Sequence, residues 1–362
     1  MTENPDKTTS TQTLAESNIE KPKNSTPTML RRVLHANEFY LFLVLLGVSL
    51  LIQARSGQFF TINNLLDLAN AMIVPGLFAI GAHMVLVSGG IDVSFPALGS
   101  LAVYAVARFM VDIDFRGPFL VVLLIIMAVG ALLGAFNGLF TSQLAAPTLI
   151  ITLGTMNVFA GIMQGALGAV QISRLPEPID KFGRAVLLRV ENVHQGTQSI
   201  LPATFIFFVI VLVLIGFVMK YTMFGRALYA MGGDEQAAIR VGFRVKWIKF
   251  WLYVIVGVIA AIAGLMSVSV THQMNPTDLL GMEMMVIAAV VLGGTAITGG
   301  KGSLLGVVMG TMLIAIIQTN MIMAGIPTTG KRFVLGLMII IGTGISAVQL
   351  TRSRKRQRLT AE

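Results

Sequence analysis

The chain has 362 residues, of which 55% are hydrophobic and only 12% charged, with a mean hydropathy of +0.81. A soluble domain carries about 25% charged residues, so this composition excludes an ordinary soluble protein and indicates an all-α integral membrane one. The net charge of +9 sits in short segments between apolar runs and in "RSRKRQR" (352–358), which is topology marking and not a nucleic-acid surface.

Residues 1–30 are rich in Ser, Thr, Asn, Lys and Glu and have little to bury, so they read as a disordered cytoplasmic tail. Arg31 and Arg32 then flank an uncleaved first helix on its cytoplasmic side. A span needs about 20 apolar residues. Ten spans are expected, at 38–54, 70–88, 95–111, 118–141, 148–167, 201–219, 248–270, 284–298, 303–324 and 332–350, and together they make residues 31–350 the transmembrane domain. The eighth is short and ends in glycine, so a broken or tilted helix is expected there.

Sidedness follows from the connections. Segment 220–249 carries Lys220, Arg226, Arg240, Arg244, Lys246 and Lys249 against Asp234 and Glu235, which assigns it to the cytoplasm. The basic tail 351–362, and Arg31 and Arg32, are cytoplasmic as well, and ten spans satisfy all three assignments. Segment 168–200, long and mixed in charge, is then external.

Two glycine ladders stand five spans apart. Gly130, Gly134 and Gly138 lie in the fourth, and Gly302, Gly306 and Gly310 in the ninth. Small residues at this spacing let helix backbones approach closely. Two halves of five helices run in opposite orientations, so the echo suggests an inverted five-helix repeat of the kind found in transporters, although a second echo, "VSGG" (87–90) and "VLGG" (291–294), ends spans two and eight, which would run parallel.

The glycine-rich "GGTAITGGKGS" (293–303) raises a nucleotide question. A phosphate-binding G-x-x-x-x-G-K-[ST] loop aligned on Gly300-Lys301 would need glycine at Thr295 and a hydroxyl at Gly302, so it fails twice. The stretch reads instead as a tight hairpin between spans eight and nine, with Ser303 capping the helix that follows. No cysteine is present, and the four histidines are scattered, so neither a thiolate site nor a metal centre is expected. No cofactor and no catalytic residue is assigned.

The longest cytoplasmic connection contains "GGDEQAAIRVGF". Asp234 can cap a short helix through Glu235, Ala237, Ala238 and Arg240, and Gly242 can stop it. By physical reasoning alone this helix either lies on the membrane surface or docks into a groove of a cytoplasmic partner. Here the loop resembles the coupling segment of permease subunits in ATP-binding-cassette importers of the ribose/autoinducer-2/galactofuranose type. Gly225, Arg226, Tyr229, Ala230, Gly232, Gly233, Ala237, Ala238 and Gly242 carry the resemblance. "LVSGGIDVS" (86–94) and "IAAVVLGGTAITGGKGSLLG" (287–306) are similar to two further segments of that family. Phe95-Pro96 and Asp234 depart from the family pattern but retain helix-start chemistry.

The resemblance implies an importer permease fold and a set of partners. These are a cytoplasmic ABC ATPase on the 225–242 loop, an external solute-binding protein, a second permease copy or a paralogue, and membrane lipid. The solute would be a monosaccharide or related polyol, carried across the bacterial inner membrane by a chain that is itself no enzyme. Polar residues within spans are the guides to the translocation path: Asn157, Gln164, Gln318 and Asn320. Each reads equally as an interhelical hydrogen-bonding residue. Asp92 and Ser94 read as the start of span three. The rival class is an ion-coupled secondary transporter. His83 is the main ionisable residue deep in a span, while Asp92 and Glu283 lie at span ends, which counts against proton coupling.

Overall fold

The computed structural model describes residues 37–192, 197–330 and, beyond these, 333, 334, 336, 337, 340 and 344. Seven helices among them are long and apolar enough to cross a membrane. They are α1 (Asn37–Ser56), α2 (Ile62–Val87), α3 (Phe95–Asp112), α4 (Phe119–Gln143), α5 (Thr148–Gly161, prolonged by a π-helical turn Ile162–Ala166), α7 (Thr204–Tyr221) and α10 (Val245–Thr271). Two shorter apolar helices follow, α11 (Glu283–Leu292) and α12 (Leu304–Asn320). The short helices α6 (Glu177–Gly183), α8 (Met223–Gly233) and α9 (Glu235–Arg240) lie between them. Nine of the ten expected spans thus have helical counterparts, and most of the tenth, 332–350, lies outside the described residues.

Two boundaries and one connection differ from expectation for local reasons. Helix α2 begins eight residues before the expected start at 70, because the Thr61 hydroxyl accepts the Asn64 N–H and caps it there. The eighth span ends as a helix at Leu292, and its last residues belong to the glycine turn. Segment 168–200 is not wholly irregular: β1 (Val186–Asn192) pairs antiparallel with β2 (Thr197–Pro202). This hairpin sits on the start of α2, where Asn63 donates to the Val190 carbonyl and Ser199 to the Asp67 carboxylate.

The core runs along α2, α3 and α10, whose side chains are buried along most of their length. In α4 the ladder residues Gly130 and Gly134 face Gly257 of α10, and Gly138 faces Phe250. A Cβ at any of the three would run into α10 backbone, so this ladder packs inside the chain. Gly306 and Gly310 of α12 meet Gly293, which follows α11, and Ala289 of α11 in the same way. An inverted repeat exchanges spans four and seven with nine and two. The packing of α4 on α10 and of α12 on α2 follows that exchange. By contrast α1, α4, α5 and α7 keep most of their apolar surface outward, as lipid-facing or partner-facing helices do.

Candidate coupling surface

Helix α8 starts at a tight corner. Thr222 accepts the Gly225 N–H, and Gly225 lies against the carbonyls that end α7, leaving no room for a side chain. Arg226 projects outward from the same turn. Asp234 then closes α8 and opens α9: its backbone N–H bonds the Ala230 carbonyl, and its carboxylate accepts the Ala237 N–H at 2.9 Å. The acid at the start of α9, Glu235, and the base at its end, Arg240, complement the helix dipole. Gly242, at φ +97°, ends α9 in the left-handed conformation that only glycine adopts freely.

Helix α9 is seated on one side and open on the other. Ala238 is buried beneath it, and Lys249 of α10 bonds Glu235 at 2.8 Å. Gln236, Ile239, Arg240 and Val241 face outward, with Val241 79% exposed. A groove of about 650 Å³ adjoins them, lined by Leu139, Gln143, Ile239, Phe243, Arg244 and Trp247. Basic charge surrounds it, since Arg226, Arg240, Arg244 and Lys246 are all exposed.

Behind this surface three glycine pairs converge. Gly232 of α8 abuts the Val87 carbonyl of α2 and the Gly300 N–H, and Gly89 and Gly299 complete the junction. The Gly300 N–H donates to the Val87 carbonyl at 2.8 Å. Tyr229 donates to the Gly302 carbonyl at 3.0 Å, and burial raises its phenol above the ordinary range. Buried His83 of α2 bonds the Thr295 hydroxyl at 2.9 Å. Ser303 caps α12 and also donates to Glu38 of α1. The glycine turn 293–303 is therefore a joint between α2, α8, α12 and α1. Gly233, one residue beyond the joint, has open space around it.

Asp92 lies beyond this joint in the non-helical link between α2 and α3. Its Oδ1 accepts the Ser94 N–H and O–H at 2.7 and 2.6 Å, an Asx-type turn that starts α3. The link is held by Thr148 and Thr152 of α5. They accept the Ile91 and Val93 N–H groups, and Thr152 also donates to the Ile91 carbonyl.

The four polar residues within spans are not brought together. Asn157 and Gln164 lie on the outward face of α5, and Asn157 donates back to the Leu153 carbonyl. Gln318 is exposed on α12 beside Met285. Asn320 is buried and donates to Asn64 of α2, which ties two helices together. Sequence reasoning did not single out Val241 or Trp247; apolar residues among basic ones on either side of the Gly242 stop are the signal that marks them. Among the described residues no group of His, Asp and Glu is placed to hold a metal ion.

At the opposite end of the bundle a cavity of about 800 Å³ opens between α3, α6 and the end of α10. Asp114, Arg116, Arg174, Glu177, Asp180 and His272 line it. Hydrogen bonding to the Arg184 guanidinium, with a smaller contribution from His272, holds the Asp180 carboxyl below the usual range.

The structure is a polytopic helix bundle with a short capped helix exposed at one end and joined to the bundle by backbone contacts. The family described as the permease component of branched-chain amino acid transport systems matches residues 64–342, and the chain belongs to it. It is 30% identical over 300 residues to the ribose import permease RbsC of Escherichia coli K12, covering 83% of this chain and 90% of that one. The Bacillus subtilis ribose import permease RbsC is 32% identical over 304 residues, 83% of this chain and 88% of that one. The autoinducer 2 import system permease LsrC of Klebsiella pneumoniae is 28% identical over 312 residues, 86% of each chain.

Proposed function

We propose that this chain forms the translocation path of an ATP-driven importer for a monosaccharide or related small polyol. The observation that carries the reading is the seat of α9: capped by Asp234, stopped by Gly242, pinned by Glu235 to Lys249, and presenting Ile239, Arg240 and Val241 outward. An ATPase subunit in the cytoplasm takes this surface, with its acidic side chains against Arg226, Arg240, Arg244 and Lys246.

Movement of the docked ATPase displaces α9 and the end of α8. At Gly232 no side chain separates α8 from α2 and the glycine turn, so displacement passes to the ends of α2 and α12 by backbone contact. Those helices open or close the path. The cavity end faces outward and receives a solute-binding protein. A second copy or a paralogue covers the outward face of α5. Asn157 and Gln164 then meet the solute there, because amide atoms left unpaired against lipid would cost about 2–7 kcal/mol. The relatives named for ribose and autoinducer 2 support the solute class, and the dependence on a docked partner distinguishes this reading from an ion-coupled carrier.

The test is co-purification. The chain, tagged and extracted from its own membrane, brings down a nucleotide-hydrolysing subunit, and Val241→Asp loses it. A variant chain that retains the ATPase at wild-type level contradicts the assignment of α9.

A further inference from the structure

Asp92 is a buried carboxyl group with no cationic side chain bonded to it among the described residues, being 3% exposed. It belongs to a closed polar cluster inside the apolar core. Asn137 of α4 donates its amide N–H to the Ser94 hydroxyl at 2.7 Å, and Ser94 donates its own O–H to Asp92 Oδ1 at 2.6 Å. The Asn137 amide oxygen, in a side chain 1% exposed, accepts from nothing. The cluster is therefore short of a donor.

Among the described residues no neighbouring donor reaches that oxygen. The facing residues of α5, Thr148 and Thr152, are committed to the backbone of the 88–94 link. From α10 comes Tyr253, buried and within electrostatic reach of Asp92, its hydroxyl turned to Thr148 and not to Asp92. From α4 comes Asn137 alone, and His83 of α2 is bonded to Thr295. Among the described residues no lysine or arginine faces the group. An ionised carboxylate without a partner in such a site costs several kcal/mol, and buried carboxyl groups neutralise instead.

We propose that Asp92 is a proton-binding site: its carboxyl group is neutral at physiological pH, and the bound proton is the missing donor, which locks the 88–94 link to α4. Binding involves only a proton from water and no change in bonding elsewhere. The site lies next to the glycine joint in sequence, so its proton sets how firmly the end of α2 is held when α9 moves.

Infrared difference spectroscopy of the purified permease reads the proton directly. The wild type shows the C=O band of a protonated carboxyl at neutral pH, and Asp92→Asn removes it. Tyr253→Phe keeps it, because the band belongs to the Asp92 carboxyl and not to the phenol. Thermal stability gives a second reading. The asparagine amide reproduces the acceptor and donor of a protonated carboxyl, so Asp92→Asn melts as the wild type does near pH 4, whereas Asp92→Ala melts lower. The folded chain keeps a proton that the unfolded chain releases above about pH 4. The wild type therefore loses stability relative to Asp92→Asn as pH rises, by up to about tenfold in the unfolding equilibrium per pH unit, until the folded group itself ionises. A wild-type spectrum with no protonated-carboxyl band at neutral pH overturns the proposal. So does a pH dependence identical in wild type and Asp92→Asn.

Discussion

Gly232, near the end of α8, lies so close to the carbonyl of Val87, which ends α2, that no Cβ fits between them. The neighbouring Gly300 N–H donates to the same carbonyl, so three chain segments meet there through backbone alone. Neither Val87 O nor Gly300 N can move aside as a flexible side chain would.

Gly232→Ala is therefore expected to be costly. Forced overpacking costs about 1–3 kcal/mol or more where the neighbour is fixed, so the variant has a lowered melting temperature and loses uptake. Gly233→Ala, with open space around it, stays within about 0.5 kcal/mol of wild type. Thermal melts of the two purified variants check this, and equal losses would remove the joint from the account.

The two outward apolar residues of α9 and its stop are expected to act only through the partner. Ile239→Asp and Val241→Asp insert and melt as the wild type does, because both side chains are exposed. Both lower solute-stimulated ATP hydrolysis by tenfold or more, the scale of losing one apolar anchor of about 1.5–3 kcal/mol. Hydrolysis assays on the reconstituted complex read the effect.

The caps of α9 and α12 are legible in the sequence because they are local: Asp234 and Ser303 stand three residues before the N–H groups they accept. The stop at Gly242 is legible for the same reason. The difference between Gly232 and Gly233 is not, since it depends on Val87 and Gly300, far away in the chain. The β1–β2 hairpin is hidden because its mixed-charge strands read as loop, and α2 begins early because Thr61 caps it outside the apolar run. Asn320 shows the limit for path residues: an amide in a span looks the same in the sequence whether it bonds a neighbouring helix or a solute.

Asn157→Leu and Gln164→Leu are expected to slow uptake while leaving the melting temperature unchanged, because both side chains lie on the outward face of α5. Asn320→Leu is expected to behave oppositely, losing about 1–3 kcal/mol of stability by stranding Asn64 in the core. Uptake into vesicles and melts of the same preparations separate the two behaviours.

The Asp180–Arg184 contact gives a pH signature at the cavity end. Its folded carboxyl titrates below the unfolded one, so the pair contributes stability above about pH 4 and loses it as pH falls through the folded value. The pair is exposed, which keeps the contribution to about 0.2–1 kcal/mol. Asp180→Asn is expected to abolish this part of the acid destabilisation, read as melting temperature against pH.

The most direct measurement is uptake into proteoliposomes holding the permease and its ATPase, with the solute-binding protein outside. Internal ATP, with no ion gradient, is predicted to drive uptake, and Val241→Asp to stop it. An imposed proton or sodium gradient without ATP is predicted to drive none. Uptake driven by that gradient in the absence of ATP would contradict the account.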